Sequence, residues 1–297
     1  MKNLKFAYEE NPVLNDINFQ IPRGEFIGVV GPNGSGKSTL LKNIIGILEP
    51  QEGEIILNGK GLGDCSGREI AKKIGYVPQN NNRIFPTTVF DTVLMGRKPY
   101  INWMETTHDK KIVAEALELL NLGEFALRHI NELSGGERQK VFIARALVQQ
   151  PEYFILDEPT NNLDLRHKLE VLNILEQFTE MNASVIVAIH DLNLALQFCK
   201  RIIILKKGRI FADGDKNVLS RETIEEVYGV SVNFIERADN CVIIPESSLH
   251  ANKMNLSNQL ILENQKRGQT MESKDSNSYD GDTQTILNYS EIQNKEK

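Results

Sequence analysis

Apolar residues along the first 245 positions fall into two alternating rhythms. Short, nearly continuous apolar runs at 25–30, 74–77, 153–156, 184–189 and 201–205 predict strands covered on both faces. Between them, apolar positions recur every three to four residues at 37–47, 107–120, 135–149, 166–181 and 192–199, which predicts helices. Strands alternating with helices predict an α/β domain on a mainly parallel sheet. The stretch from about 64 to 127 breaks the alternation. It is richer in helix and turn residues and predicts a helical subdomain inserted between the two halves of the sheet. A small α+β extension is expected over about 222–245, around the turn Val227-Tyr228-Gly229-Val230.

Beyond Pro245 both rhythms stop. Residues 246–297 are rich in Asn, Ser, Gln, Glu and Lys, a composition that predicts a solvated, disordered tail; a short docking helix around 256–262 is the alternative. One domain over 1–245 and a polar tail over 246–297 are therefore expected.

Composition narrows the class. Of 297 residues, 40% are hydrophobic and 25% charged, which is ordinary for a globular protein. No run approaches the roughly 18 apolar residues of a membrane-spanning helix, and Met1-Lys2-Asn3 opens without a signal-peptide pattern. A cytoplasmic location is expected, with a partner holding the chain at any membrane it serves. The formal charge of −6 argues against a broad nucleic-acid surface. Cys65, Cys199 and Cys241 are scattered and suggest neither a disulfide framework nor a metal site.

Chemistry enters at Gly31-Pro32-Asn33-Gly34-Ser35-Gly36-Lys37-Ser38, followed by Thr39, a full match to G-x-x-x-x-G-K-[ST]. The motif follows an apolar strand and opens an amphipathic helix, the context in which glycines turn backbone N–H groups toward phosphate oxygens. Lys37 is expected to bridge the β- and γ-phosphates and the Ser38 hydroxyl to hold Mg²⁺. Tyr153-Phe154-Ile155-Leu156-Asp157-Glu158 reads as a buried strand ending in two acids. Asp157 is expected to reach Mg²⁺ through water, and Glu158 to orient or deprotonate an attacking water. Leu133-Ser134-Gly135-Gly136-Glu137-Arg138-Gln139 reads locally as a capping box, Ser134 paired with Glu137, whose two glycines leave helix N–H groups open to an anion.

These three motifs, in the chain order 31–38, 133–139 and 153–158, resemble the ATP-binding subunit of an ATP-binding-cassette (ABC) transporter, over about residues 3–245. The resemblance implies a P-loop NTPase core with an antiparallel β subdomain and an inserted helical subdomain. It implies an ATPase that works as a pair, because Ser134, Gly135 and Gly136 would close on ATP held by a second copy of the chain. It also assigns Thr160-Asn161-Asn162-Leu163-Asp164 to the loop along the dimer seam, with Asp164 its firmest member. His190 takes the place of the switch histidine that contacts the γ-phosphate. Gln79, ending Gly75-Tyr76-Val77-Pro78-Gln79, takes that of the glutamine touching Mg²⁺ and the attacking water. Tyr8 matches the aromatic that stacks on adenine, with a buried strand tyrosine as the competing reading. The other histidines, at 108, 129, 167 and 250, have no such context.

Partner-facing sequence refines the resemblance. Thr88-Val89-Phe90-Asp91-Thr92-Val93-Leu94-Met95-Gly96-Arg97-Lys98-Pro99-Tyr100 lies where the family receives the permease. With Ile189-His190-Asp191-Leu192-Asn193-Leu194-Ala195, it is similar to importers of iron–siderophore complexes, haem and cobalamin. Two membrane permease subunits and, indirectly, an extracytoplasmic solute-binding protein are the implied partners. Ribosome-acting ATPases of this family resemble two cassettes in one chain, and chromosome or repair ATPases separate their halves with long coiled coil. Neither pattern occurs here, nor the fused membrane helices of an exporter.

Overall fold

The computed structural model describes residues 1–79, 87–237 and 240–246. In chain order the elements are β1 (Lys2–Tyr8), β2 (Asn11–Ile17), β3 (Phe26–Val30), α1 (Lys37–Ile44), β4 (Glu52–Glu54), β5 (Ile56–Leu57), β6 (Lys60–Gly61), α2 (Gly67–Lys73), β7 (Ile74–Val77), α3 (Val89–Leu94), α4 (Thr107–Leu119), α5 (Gly135–Leu147), β8 (Tyr153–Asp157), α6 (Leu165–Glu180), β9 (Ser184–Ala188), α7 (Leu192–Phe198), β10 (Arg201–Lys206), β11 (Arg209–Gly214), α8 (Arg221–Tyr228), β12 (Val232–Arg237) and β13 (Asn240–Pro245).

A six-stranded sheet in the order β11-β10-β3-β9-β8-β7 forms the centre; all its pairings are parallel except β10 with β11. The two-residue period of a strand divides its side chains between two cores. Ile27, Val29, Ile155, Ile186, Ala188, Ile203 and Leu205 join one core with Leu40 and Leu41 of α1 and Leu4 and Leu14 of the antiparallel sheet β2-β1-β4. Phe26, Val30, Phe154, Leu156, Val185, Val187, Ile202 and Ile204 join the other, against Val141 of α5, Phe178 of α6 and Ala195 of α7. Phe154 stacks on Phe178 at 4.5 Å between ring centres. Burying such a side chain contributes roughly 1.5–3 kcal/mol, and both faces of the sheet collect that gain. Helices on both faces explain why the strands read as unbroken apolar runs.

Met1–Pro245 forms one compact unit. The tail expected over 246–297 lies outside the described residues from 247 onward. The stretch 64–127 is less separate than its composition suggested, since β7 within it is an edge strand of the central sheet. Four residues, Ile74-Gly75-Tyr76-Val77, pair with β8, and the helical α3 and α4 follow. The C-terminal extension begins at α8 and ends in the β12–β13 ribbon, where the Asn193 side chain donates to Ile243 O and accepts from Ile243 N–H. No helix among the described residues is long and apolar enough to cross a membrane.

Candidate nucleotide site

Four neighbouring parallel strands, β3, β9, β8 and β7, deliver their C-terminal ends to one edge of the sheet, where ligands of open α/β folds collect. Gly31 follows β3, Gln79 follows β7, Glu158 follows β8 and His190 follows β9.

The loop after β3 is shaped by close approach. At Gly31, φ is +147° and a Cβ would stand 2.3 Å from Leu205 O, so only glycine fits. Gly36, at φ +105°, precedes α1, and no side chain caps that helix, so its first-turn N–H groups stay available. Lys37 is buried and folds back on its own loop, donating to Gly31 O at 2.8 Å and Pro32 O at 3.1 Å. Burial lowers its pKa, opposed by the carboxylates of Glu158 and Asp157. Ser35 is also buried, and its Oγ has no hydrogen-bond partner among the described residues.

Across the edge, Ser38 Oγ donates to Asp157 Oδ1 at 2.9 Å. Burial raises the Asp157 pKa, with the Ser38 bond opposing it. Glu158 takes the next position in a left-handed backbone, φ +52°, which costs a non-glycine residue roughly 1–2 kcal/mol. Three side chains hold it there: Gln79 and Asn161 donate amide N–H groups to Oε2, and His190 Nε2 meets Oε1. Gln79, Glu158 and His190, far apart in sequence, thus meet at one buried carboxylate.

The sequence family described as ABC transporter matches residues 14–161. The chain is 48% identical over 244 residues to an uncharacterized ABC transporter ATP-binding protein of Methanocaldococcus jannaschii, covering 82% of this chain and 95% of that one. The chain belongs to the ABC transporter ATP-binding proteins. It is 34% identical to the petrobactin import ATP-binding protein of Bacillus anthracis (81% and 90% covered) and 40% identical to the hemin import ATP-binding protein of Gloeobacter violaceus (73% and 82% covered). Among solved structures, a chain of an inward-facing metal-chelate type ABC transporter superposes with a TM-score of 0.73 at 31% identity, covering 84% of this chain and 97% of that one. A dimeric post-hydrolysis ATP-binding cassette bound to ADP and Pi superposes at 0.64, with 33% identity and 72% and 97% covered.

Among the described residues, no hydrogen bond or ion pair ties the other expected site residues of this ABC ATPase to that edge. Ser134 caps α5: Glu137 N–H donates to Ser134 Oγ at 3.3 Å and Ser134 N–H to Glu137 Oε2 at 2.8 Å. Ser134 and Gly135 are exposed, and among the described residues no hydrogen bond or ion pair joins 134–136 to 31–38, Glu158 or His190. Asp164 is the exposed N-cap of α6. Tyr8, at the end of β1, is exposed rather than buried, its ring edge-on to Phe6 at 4.9 Å. Tyr8 pairs with Asn11 of β2, the strand whose Val13 and Leu14 lie beside Gly36.

Asn161, expected only as a member of the loop along the dimer seam, also meets Glu158. The turn from Glu158 O to Asn161 N–H, 3.2 Å, folds its amide back onto the carboxylate. An acid followed by Pro159 and, two residues after that, by Asn161 was the available signal. The oxygens of Ser38, Asp157 and Gln79 suit Mg²⁺, which takes few protein ligands beside phosphate and water. Among the described residues no cluster of three or more His, Cys, Asp or Glu could hold a metal ion.

Proposed function

We propose that two copies of this chain close on two ATP molecules at the cytoplasmic face of a membrane and drive import of a metal chelate. An iron(III)–siderophore complex is the first choice, with haem or cobalamin the alternative. The observation that carries this reading is the division of the phosphate-binding parts. Residues 31–38 and the Glu158 cluster share one edge, whereas Ser134 and Gly135 at the start of α5 are exposed and, among the described residues, no hydrogen bond or ion pair joins 134–136 to either. Relatives named for petrobactin and hemin import, and a neighbour of metal-chelate type, support the cargo class. The dimeric cassette supports the pairing.

In this reading the N–H groups of 31–39 cradle phosphate, and Lys37 exchanges its two loop carbonyls for β- and γ-phosphate oxygens. Tyr8 stacks on adenine. Ser38, Asp157 and Gln79 hold Mg²⁺, which supplies charge neutralisation of the phosphates when bound. Glu158 orients the attacking water and accepts its proton, positioned by Gln79, Asn161 and His190. Ser134, Gly135 and Gly136 of one copy meet the γ-phosphate on the other, with Asp164 along the seam. Shifting a pair from 1:99 to 99:1 closed needs roughly 5.5 kcal/mol. Charge-assisted bonds contribute roughly 1.5–3 kcal/mol each, so Ser134, Gly136 and His190 suffice, and hydrolysis removes what they hold. Two permease subunits and a solute-binding protein complete the importer.

Glu158→Gln with Mg-ATP tests the mechanism: the variant is expected to bind ATP, lose hydrolysis and accumulate as a dimer on light-scattering chromatography. Monomer alone across a concentration series overturns the pairing. Cargo is tested by deleting the coding sequence and following uptake of labelled iron chelate, haem and cobalamin. Loss confined to haem or cobalamin overturns the iron-chelate choice.

A further inference from the structure

Within one chain, the start of α5 and the start of α6 are clamped together. A Cβ at Gly136 would stand 2.3 Å from His167 Cδ2 and 2.5 Å from Cγ, so the imidazole rests against bare backbone where no other residue leaves room. The same ring is gripped from its other side. Asp164 Oδ1 accepts from the His167 backbone N–H and from ring Nδ1–H, at 2.9 Å each. One turn further along both helices, Lys140 and Glu170 form an ion pair at 2.6 Å, about 15% and 30% exposed. Leu163 Cδ2 lies 3.9 Å from where a Gly135 Cβ would be. The spacings 136/140 and 167/170 put each pair of residues on one helical face, so the seam has two levels.

We propose that His167 is a positioning residue that makes Asp164 and the Ser134–Gly136 segment one body, so that both elements reach the partner chain together. The proposal rests on the two-chain reading above. Asp164 is otherwise exposed, with about two thirds of its side chain in solvent, and a capping bond to one backbone N–H leaves its orientation loose. The ring bond fixes that orientation, and the ring's far edge lies against Gly136. A phosphate-driven shift of the α5 start therefore carries Asp164 with it.

His167→Ala removes the ring but keeps the backbone N–H that Asp164 caps, so α6 retains its start. His167→Asn restores a side-chain N–H donor near the Nδ1 position. The full-length chain in the Glu158→Gln background is assayed with Mg-ATP for dimer formation by light scattering and for ATP binding at dilution by equilibrium dialysis. His167→Ala is expected to weaken pairing about 10-fold or more while ATP affinity of the single chain stays within about 2-fold, and His167→Asn to recover most of the loss. Unchanged pairing, a parallel fall in single-chain ATP affinity, or an Asn variant no better than Ala overturns the proposal.

Amide hydrogen exchange without nucleotide separates this idea from the two-chain reading. His167→Ala is expected to speed exchange in 134–139 and in 164–168 together, and loosening of 164–168 alone overturns the clamp even if pairing is intact. Failure of the Glu158→Gln parent to pair sinks the two-chain reading instead, and with it the function assigned to the clamp.

Discussion

Two helix starts in this chain face the same chemical problem and solve it differently. α1 begins at Gly36 without a side-chain cap, so its first N–H groups have no competitor for phosphate. α5 begins at Ser134 with a reciprocal capping box, so its side chains satisfy N–H groups of their own helix. The first start is enclosed by Lys37, Asp157 and Glu158, all buried. At the second, Ser134 and Gly135 are exposed, Gly135 lies near Leu163, and Gly136 is buried against His167 of α6. A start that is built around its ligand needs no substitute when empty. A start that meets its ligand only on closure is kept folded meanwhile by Ser134, whose Oγ accepts at 3.3 Å, long enough to be given up readily.

Breaking the first start has the largest expected effect. Lys37→Ala is expected to lower ATP hydrolysis by roughly 10²–10³-fold or more, the scale of losing a preorganised charge at the reacting group. Near-normal turnover of the purified variant would remove the distinction between the two starts.

The second start is probed next from the far end of its helix. There Arg97 donates to Val148 O at 2.7 Å and pairs with Asp109 at 3.0 Å, both side chains nearly fully buried. Asp109→Asn leaves Arg97 without its counter-charge and is expected to cost about 3 kcal/mol in urea unfolding at pH 7. Thr106 hydroxyl and backbone N–H bonds, then Arg97, hold the Asp109 carboxyl at about 2. A depressed carboxyl stabilises above its unfolded value and loses that stabilisation as pH falls toward the folded one. The difference between wild type and Asp109→Asn should therefore be flat from pH 8 to 5 and shrink below about 4. A difference that grows below pH 4 contradicts this account.

The smallest effect is expected from Ser134→Ala. Losing the cap should lower stability by about 1 kcal/mol, read as a shift of the urea midpoint, with ATP affinity of the isolated chain unchanged. Lost affinity would mean that Ser134 serves the nucleotide of its own chain.

Much of the phosphate edge was legible because its parts are local. Residues 31–38 carry their geometry in glycine spacing, and Asp157-Glu158 terminate an apolar run. What joins them is not local. That Gln79 and His190 meet on a single carboxylate depends on the order β3-β9-β8-β7, which no residue pattern states. β1 was obscured because register shifts between Leu4 and Phe6 and between Phe6 and Ala7 interrupt its alternation, and β4 has only three exposed residues. β11 alternates exposed with half-buried positions and lacks the apolar run that marked its parallel neighbours. Helix α1 stops at Ile44, short of the expected 47, where Gly46 takes φ +70°. His167 carried no signal because its neighbour, Gly136, is set by packing of two helices rather than by distance along the chain.

The order of the two acids follows from where β8 ends. Asp157, the last residue of the strand, meets the Ser38 hydroxyl, and Glu158, one residue beyond it in a left-handed backbone, meets Gln79 and His190. Exchanging the two letters would keep composition and charge, yet hand the shorter carboxylate to the histidine and the longer one to the serine. Direction along the polypeptide is thereby converted into a division of labour between neighbours that differ by one methylene.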